Sequence, residues 1–146
     1  MVLTKIQITQ LTVEQRKMIE AAKKTQKNSY SIYSKFPVGA AVLTKKGNVF
    51  VGTNMENASY GLSVCAEVGA IQSALSAGDF EIIKIAIVAK ESEEITTPCG
   101  RCRQIIFEAG EVSKTDIEVI IVNNDHAYIT TISQLLPKAF GPSTIY

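Results

Sequence analysis

The stretch Ser63-Val64-Cys65-Ala66-Glu67-Val68-Gly69-Ala70-Ile71-Gln72-Ser73-Ala74-Leu75-Ser76-Ala77-Gly78 decides how the chain is read. Ser63 is a suitable N-cap and Gly78 a suitable C′ residue, so the pattern predicts a helix from Val64 to Ala77. Its small and apolar residues, among them Ala66, Ala70, Ile71 and Ala74, cover most of the circumference, as expected of a central, buried helix. The helix carries Cys65 in its first turn, followed two residues later by a carboxylate, Glu67. The other two cysteines of the chain stand in Pro98-Cys99-Gly100-Arg101-Cys102. Thr97 and Pro98 form an N-cap and N1 pair for a second helix, with Gly110 as its close. Cys99 and Cys102, three residues apart, then share a helix face.

Thiolates are strong ligands for zinc, and three of them leave the fourth tetrahedral position free for water. Helix N-termini carry partial positive charge, which favours the thiolate form. Glu67 is too close to Cys65 in sequence to be a natural fourth ligand and reads as a proton shuttle. Three bland alternatives are weaker. Inert core thiols do not explain a C-x-x-C behind a proline, and a thioredoxin-like dithiol leaves Cys65 and Glu67 unused. A structural zinc site needs a fourth protein ligand, and the only histidine, His126, reads as a solvated loop residue.

Outward from these helices, the residues set out an α/β domain. Thr12 and Gln15 make a capping-box signal for a first helix through Met18, Ile19, Ala21 and Ala22. Lys27 to Lys35 reads as a connecting segment. Phe36 to Leu43 and Val49 to Asn54 flank a Lys45-Lys46-Gly47-Asn48 turn and predict a hairpin. Ile82 to Ala89 and Ile117 to Val122 read as interior strands, Ala127 to Thr131 as a shorter one, and Thr131 to Leu136 as a short helix. The 146 residues fit one domain, with 46% hydrophobic residues to fill a core. A net charge of +1 argues against a nucleic-acid polymer as partner. No membrane span or export signal is legible, which fits a cytoplasmic protein and cysteines used for metal or redox chemistry.

Cys65-Ala66-Glu67 with Pro98-Cys99-Gly100-Arg101-Cys102-Arg103-Gln104 resembles the signature of zinc-dependent nucleoside deaminases. Within them the chain is similar to the small homotetrameric cytidine deaminases, from about Ala21 to Pro142. Phe36-Pro37-Val38-Gly39-Ala40, Asn54-Met55-Glu56-Asn57-Ala58-Ser59-Tyr60-Gly61, and Leu135-Leu136-Pro137 to Phe140-Gly141-Pro142 share the likeness. The resemblance implies a three-layer α/β/α fold with a mixed five-stranded sheet. It also implies hydrolysis of cytidine and deoxycytidine to uridine and deoxyuridine in pyrimidine salvage. Cys65, Cys99 and Cys102 are then zinc ligands and Glu67 the acid and base. Asn54 and Glu56 hold ribose hydroxyls, while Phe36, Val38 and Ala66 line the base pocket, with the Ala66 N–H on the base carbonyl. The Thr97 carbonyl accepts from the exocyclic amine, and Tyr60 and Phe140 enter a neighbouring subunit's site.

Departures from the pattern are informative. Ile32 replaces a usual proline, and the segment before Phe36 is longer than usual. Val68 stands where an arginine usually follows Cys-Ala-Glu, and Arg101 where alanine is common; blasticidin S deaminases resemble the chain in both respects and are the alternative within the enzyme class. A non-enzymatic zinc module is the alternative outside it, but such a module has no need of Glu67. Zn²⁺ with three thiolates carries net charge −1, against about +0.5 from each helix N-terminus. With Val68 unable to help once water ionises, Arg101, or else Arg103, is expected to turn toward the sulfurs.

Overall fold

The structure is a computed structural model that describes residues 1–146. Strands β1 (Thr4–Gln7), β2 (Gly39–Thr44), β3 (Val49–Thr53), β4 (Ile82–Val88), β5 (Glu118–Asn123) and β6 (His126–Thr131) form one sheet in the order β1-β6-β5-β4-β2-β3. Only β4 and β5 run parallel; every other pair is antiparallel. The helices are α1 (Val13–Gln26), α2 (Ala66–Ser76), α3 (Gly100–Ser113), α4 (Ile132–Leu135) and α5 (Pro142–Ile145).

Strand alternation assigns each side chain to a layer. Ala40, Val42, Ile85, Ile87, Val119 and Ile121 face α2 and α3, forming one buried cluster with Ala66, Ala70 and Ile106. Ala41, Leu43, Ala86, Val88, Ile120 and Val122 face the other way and pack on Met18, Ile19 and Ala22 of α1. A sheet buried on both faces needs near-continuous apolar strands, which explains the Ile/Val runs of β4 and β5. Truncating a fully buried residue such as Ile85 to alanine costs about 2–5 kcal/mol.

The sheet has six strands, not the expected five. The additional strand, Thr4-Lys5-Ile6-Gln7, lies at an edge paired with β6, and only Ile6 is even partly buried. Such a segment carries no apolar alternation, because pairing rather than burial holds it. The capping box at Thr12 and Gln15 forms as expected. Phe36 to Val38 is irregular, and β2 begins at Gly39.

Both cysteine-bearing helices start later than the hydroxyl residues suggest. Ser63 Oγ accepts the Asn57 N–H, and Val64 is held extended by two backbone bonds to Met55, so Cys65 becomes the N-cap of α2. Thr97 Oγ1 accepts from Arg103 Nη2, and Cys99 is the N-cap of α3. Gly78 (φ 71°) closes α2 as expected. Gly110 does not close α3, which runs to Ser113 and ends at left-handed Lys114. The glycine serves clearance instead, since a Cβ at 110 would lie 2.8 Å from Thr115 O. Gly52 acts likewise under α2: a Cβ there would sit 2.2 Å from Ala70 N, so its absence lets the helix press onto β3.

Candidate active site

The three thiols converge at the starts of α2 and α3. Cys65 and Cys99 are the N-caps and Cys102 lies in the first turn of α3, buried; none forms a disulfide. Their Sγ atoms lie within 4.8 Å of one another, with Cys65 and Cys99 3.9 Å apart. Tetrahedral zinc with 2.3 Å bonds to sulfur requires sulfurs roughly 3.8 Å apart, so the donor set fits the ion with small adjustments. His126 is absent from the group and pairs instead with Asp125, 2.6 Å away.

Electrostatics make the cluster ready for a cation. A hydrogen bond from Cys102, with smaller contributions from Cys99 and the charge of Arg101, brings the Cys65 thiol down from 9.0 to about 6 against burial and the Glu67 charge. Hydrogen bonding to Cys65, then burial and Glu67, push Cys102 the other way. A first negative charge on this pair is thus favoured, and a second is opposed until a cation neutralises it. Glu67, one residue inside α2, is only 5% exposed. Burial raises its carboxyl pKa, with backbone and Cys102 hydrogen bonds opposing, so it is shifted toward the proton-holding state an acid–base group needs.

A cavity of about 430 Å³ opens above the cluster. Cys65, Cys99 and Glu67 form its floor, while Phe36, Val38, Asn54, Glu56, Ala66 and Thr97 line its walls. Nine residues singled out from the sequence thus share one cavity, with Cys102 the buried third thiol of the cluster. Tyr60 lines a neighbouring recess, which also borders Glu56, and is 81% exposed. Phe140 is 63% exposed and lines neither space; its carbonyl accepts from Gln104 Nε2. A separate cleft of about 530 Å³ on the α1 side holds Lys23, Lys27 and Lys90 but no thiol or buried carboxyl.

Asn54 and Glu56 have a task that sequence reasoning missed. Asn54 Oδ1 accepts from Val38 N at 2.8 Å and Ser29 Oγ at 2.5 Å, while Nδ2 donates to Phe36 O at 2.9 Å. Glu56 Oε2 accepts from Tyr33 N and Ser34 N, and Oε1 from Ser34 Oγ. These bonds, first among them that from Ser34, lower the Glu56 pKa. Both side chains hold the connecting segment in place. Ser34, Met55, Ile87 and Thr96 also border the cavity, and the sequence did not single them out as site residues.

The arginines divide differently from a symmetrical pair. Arg103 donates to Pro98 O, Leu135 O and Thr97 Oγ1, and so ties down the turn before Cys99. Arg101 donates to Ser63 O at 3.3 Å, and its charge is one that lowers the Cys65 thiol pKa. Neither hydrogen-bonds a sulfur; Arg101 acts on the cluster through its charge.

Three converging thiols that fit a zinc ion beside a buried carboxyl, under a cavity walled by an α/β/α fold, are the arrangement of a metal-dependent hydrolytic enzyme. Comparison with known proteins narrows the class. Residues 12–119 match the cytidine and deoxycytidylate deaminase zinc-binding region. The chain is 40% identical over 129 residues to cytidine deaminase of Halalkalibacterium halodurans, covering 88% of this chain and 95% of that one. It is 39% identical over 129 residues to a probable cytidine deaminase of Dictyostelium discoideum, covering 88% and 84%. The crystal structure of cytidine deaminase from Burkholderia pseudomallei superposes with a TM-score of 0.79 at 44% identity, covering 89% of this chain and all of that one. The chain belongs to the cytidine and deoxycytidylate deaminase zinc-binding family. No helix is long and apolar enough to cross a membrane.

Proposed function

We propose that the chain hydrolyses the C4 amine of cytidine and deoxycytidine, giving the uracil nucleoside and ammonia, a reaction of pyrimidine salvage. One observation carries the reading: three sulfurs within 4.8 Å of one another lie beside Glu67, whose buried carboxyl lines a cavity shared with Phe36, Val38, Asn54, Glu56, Ala66 and Thr97. Cys65, Cys99 and Cys102 would hold zinc, which would supply the Lewis acidity that makes water a competent nucleophile near neutral pH. Glu67 takes a proton from that water with a carboxylate oxygen and delivers it to N3 of the pyrimidine. The water oxygen bonds to C4 as N3 is protonated, and Glu67 then moves the remaining proton of that oxygen to the amine nitrogen as the C4–N bond breaks, leaving a C4 carbonyl and ammonia.

The walls orient the nucleoside for this transfer. Phe36 and Val38 pack on the base, the Ala66 N–H donates to its carbonyl, and the Thr97 carbonyl accepts from the exocyclic amine. At the other end, a valence count suits a sugar hydroxyl: Asn54 keeps one N–H and Glu56 Oε1 one lone pair once their contacts in the chain are made. Tyr60 and Phe140, both highly exposed, complete the site of a neighbouring copy in a homotetramer.

The experiment is ultraviolet monitoring of cytidine, deoxycytidine and blasticidin S with the zinc-loaded protein. Turnover of both nucleosides at comparable kcat/KM is expected. Val68 and Arg101 are the observation that favours blasticidin S as a second substrate, and turnover of that compound alone overturns the nucleoside reading.

A further inference from the structure

We infer that Ser34 is a specificity-determining positioning residue that fixes the sugar end of the cavity against its base wall. The proposal rests on the nucleoside reading and deepens it.

Ser34 lies in the segment between α1 and β2, at the border of both the cavity and the recess beside it. Its hydroxyl has one proton, which goes to Glu56 Oε1, and it accepts the Phe36 N–H at 3.1 Å. Its own backbone N–H reaches the other carboxylate oxygen, Oε2, at 3.2 Å, beside that of Tyr33 at 2.9 Å. The relay runs from the Phe36 amide through the Ser34 hydroxyl to a carboxylate, a direction in which each bond polarises the next. Lys35, between the two bonded residues, adopts the left-handed φ of 56°, a conformation that is costly for a residue with a Cβ.

On the far side of the same residue, the Phe36 carbonyl accepts from Asn54 Nδ2. The Phe36 backbone is therefore gripped at its N–H through Ser34 and at its C=O by Asn54. Asn54 and Glu56 are the side chains assigned to the sugar, and Phe36 is the wall assigned to the base. Ser34 thus converts the separation between carboxylate and aromatic ring into a fixed distance, against which a nucleoside is measured. The lone pair left on Oε1 lets a sugar hydroxyl and Ser34 bind together, so the serine assists the substrate rather than competing with it.

The test uses the zinc-loaded full chain with cytidine. Ser34→Ala is expected to raise KM about tenfold, the loss of one hydrogen bond to a charged group, with kcat within about threefold and zinc content unchanged. The isosteric pair Ser34→Thr and Ser34→Val separates hydroxyl from volume: threonine is expected to stay within about threefold of wild type and valine to follow alanine. In a Glu56→Gln background the Ser34→Ala effect on KM is expected to shrink to about twofold, because the charged partner is gone. An unchanged or lowered KM, equal behaviour of threonine and valine, or an undiminished effect in the Glu56→Gln background overturns the proposal. A zinc-loaded wild type that leaves cytidine untouched overturns the nucleoside reading instead, before any variant is made.

Discussion

The two ends of the cavity are built by different means. At the metal end, Cys65 and Cys99 cap two helices that pack on the sheet, Cys102 and Glu67 are buried, and positions follow from helix geometry. At the other end, Ser34 is exposed and Glu56 half-buried, and an irregular segment is held by hydrogen bonds with the side chains of Asn54 and Glu56. Groups that make and break bonds need fixed positions and shifted pKa values, which helix N-termini and burial supply. Groups that recognise a substrate entering from solvent can lie on a segment with little packing beneath it. The contrast implies that damage at one end lowers turnover and damage at the other weakens binding.

The largest effect is expected from the buried thiol. Cys102→Ala removes one ligand of three, and the purified protein is expected to lack zinc by mass spectrometry and to show no measurable turnover. Stoichiometric zinc and wild-type kcat in that variant would show that the ligand set is wrong. Glu67→Gln comes next: zinc is expected to stay at about one per chain while kcat falls by about a thousandfold or more. Retention of a tenth of wild-type kcat would assign the proton transfer to another group.

At the recognition end, Glu56→Ala is expected to cost about a hundredfold in kcat/KM for cytidine and less than about threefold for free cytosine, which has no sugar to lose. Equal losses would make Glu56 a purely structural latch. Its titration sharpens the point. The folded-state pKa lies below the ordinary 4.5, so the carboxylate latch is fully present above that range and is lost as pH falls through the depressed value. Carboxyl-carbon NMR is expected to report the depressed pKa in wild type and a value nearer 4.5 in Ser34→Ala; identical values in both would mean that Ser34 does not hold the charge. The smallest effect is reserved for Arg101→Ala, which removes a nearby cation without removing a ligand. Zinc is expected to pass to a chelator only a few-fold faster, with Val68→Arg restoring part of the loss, and an unaltered rate would exclude Arg101 as the balancing charge.

The same contrast explains what was legible in the sequence. The Thr12 and Gln15 capping box, Gly78 at the close of α2, and the apolar runs of β4 and β5 were readable because each is a local residue preference that the fold obeys. The three cysteines were readable because metal ligation demands specific residue types at short spacings, and Glu67 because a carboxylate two residues after Cys65 suits proton transfer rather than ligation. Ser63 and Thr97 misled as helix starts because their hydroxyls accept from Asn57 N and the Arg103 side chain, each six residues away, instead of capping a helix. β1 was invisible for a related reason: its pairing partner, β6, lies more than a hundred residues away. Ser34 belongs with these, an ordinary serine until Glu56 and Phe36 close around it.

The most direct measurement is a zinc titration of metal-free protein with cytidine turnover as the signal. Turnover is expected to rise in proportion to added zinc and to level off at about one zinc per chain. Full turnover without zinc, or none at one zinc per chain, would contradict a deaminase centred on Cys65, Cys99, Cys102 and Glu67.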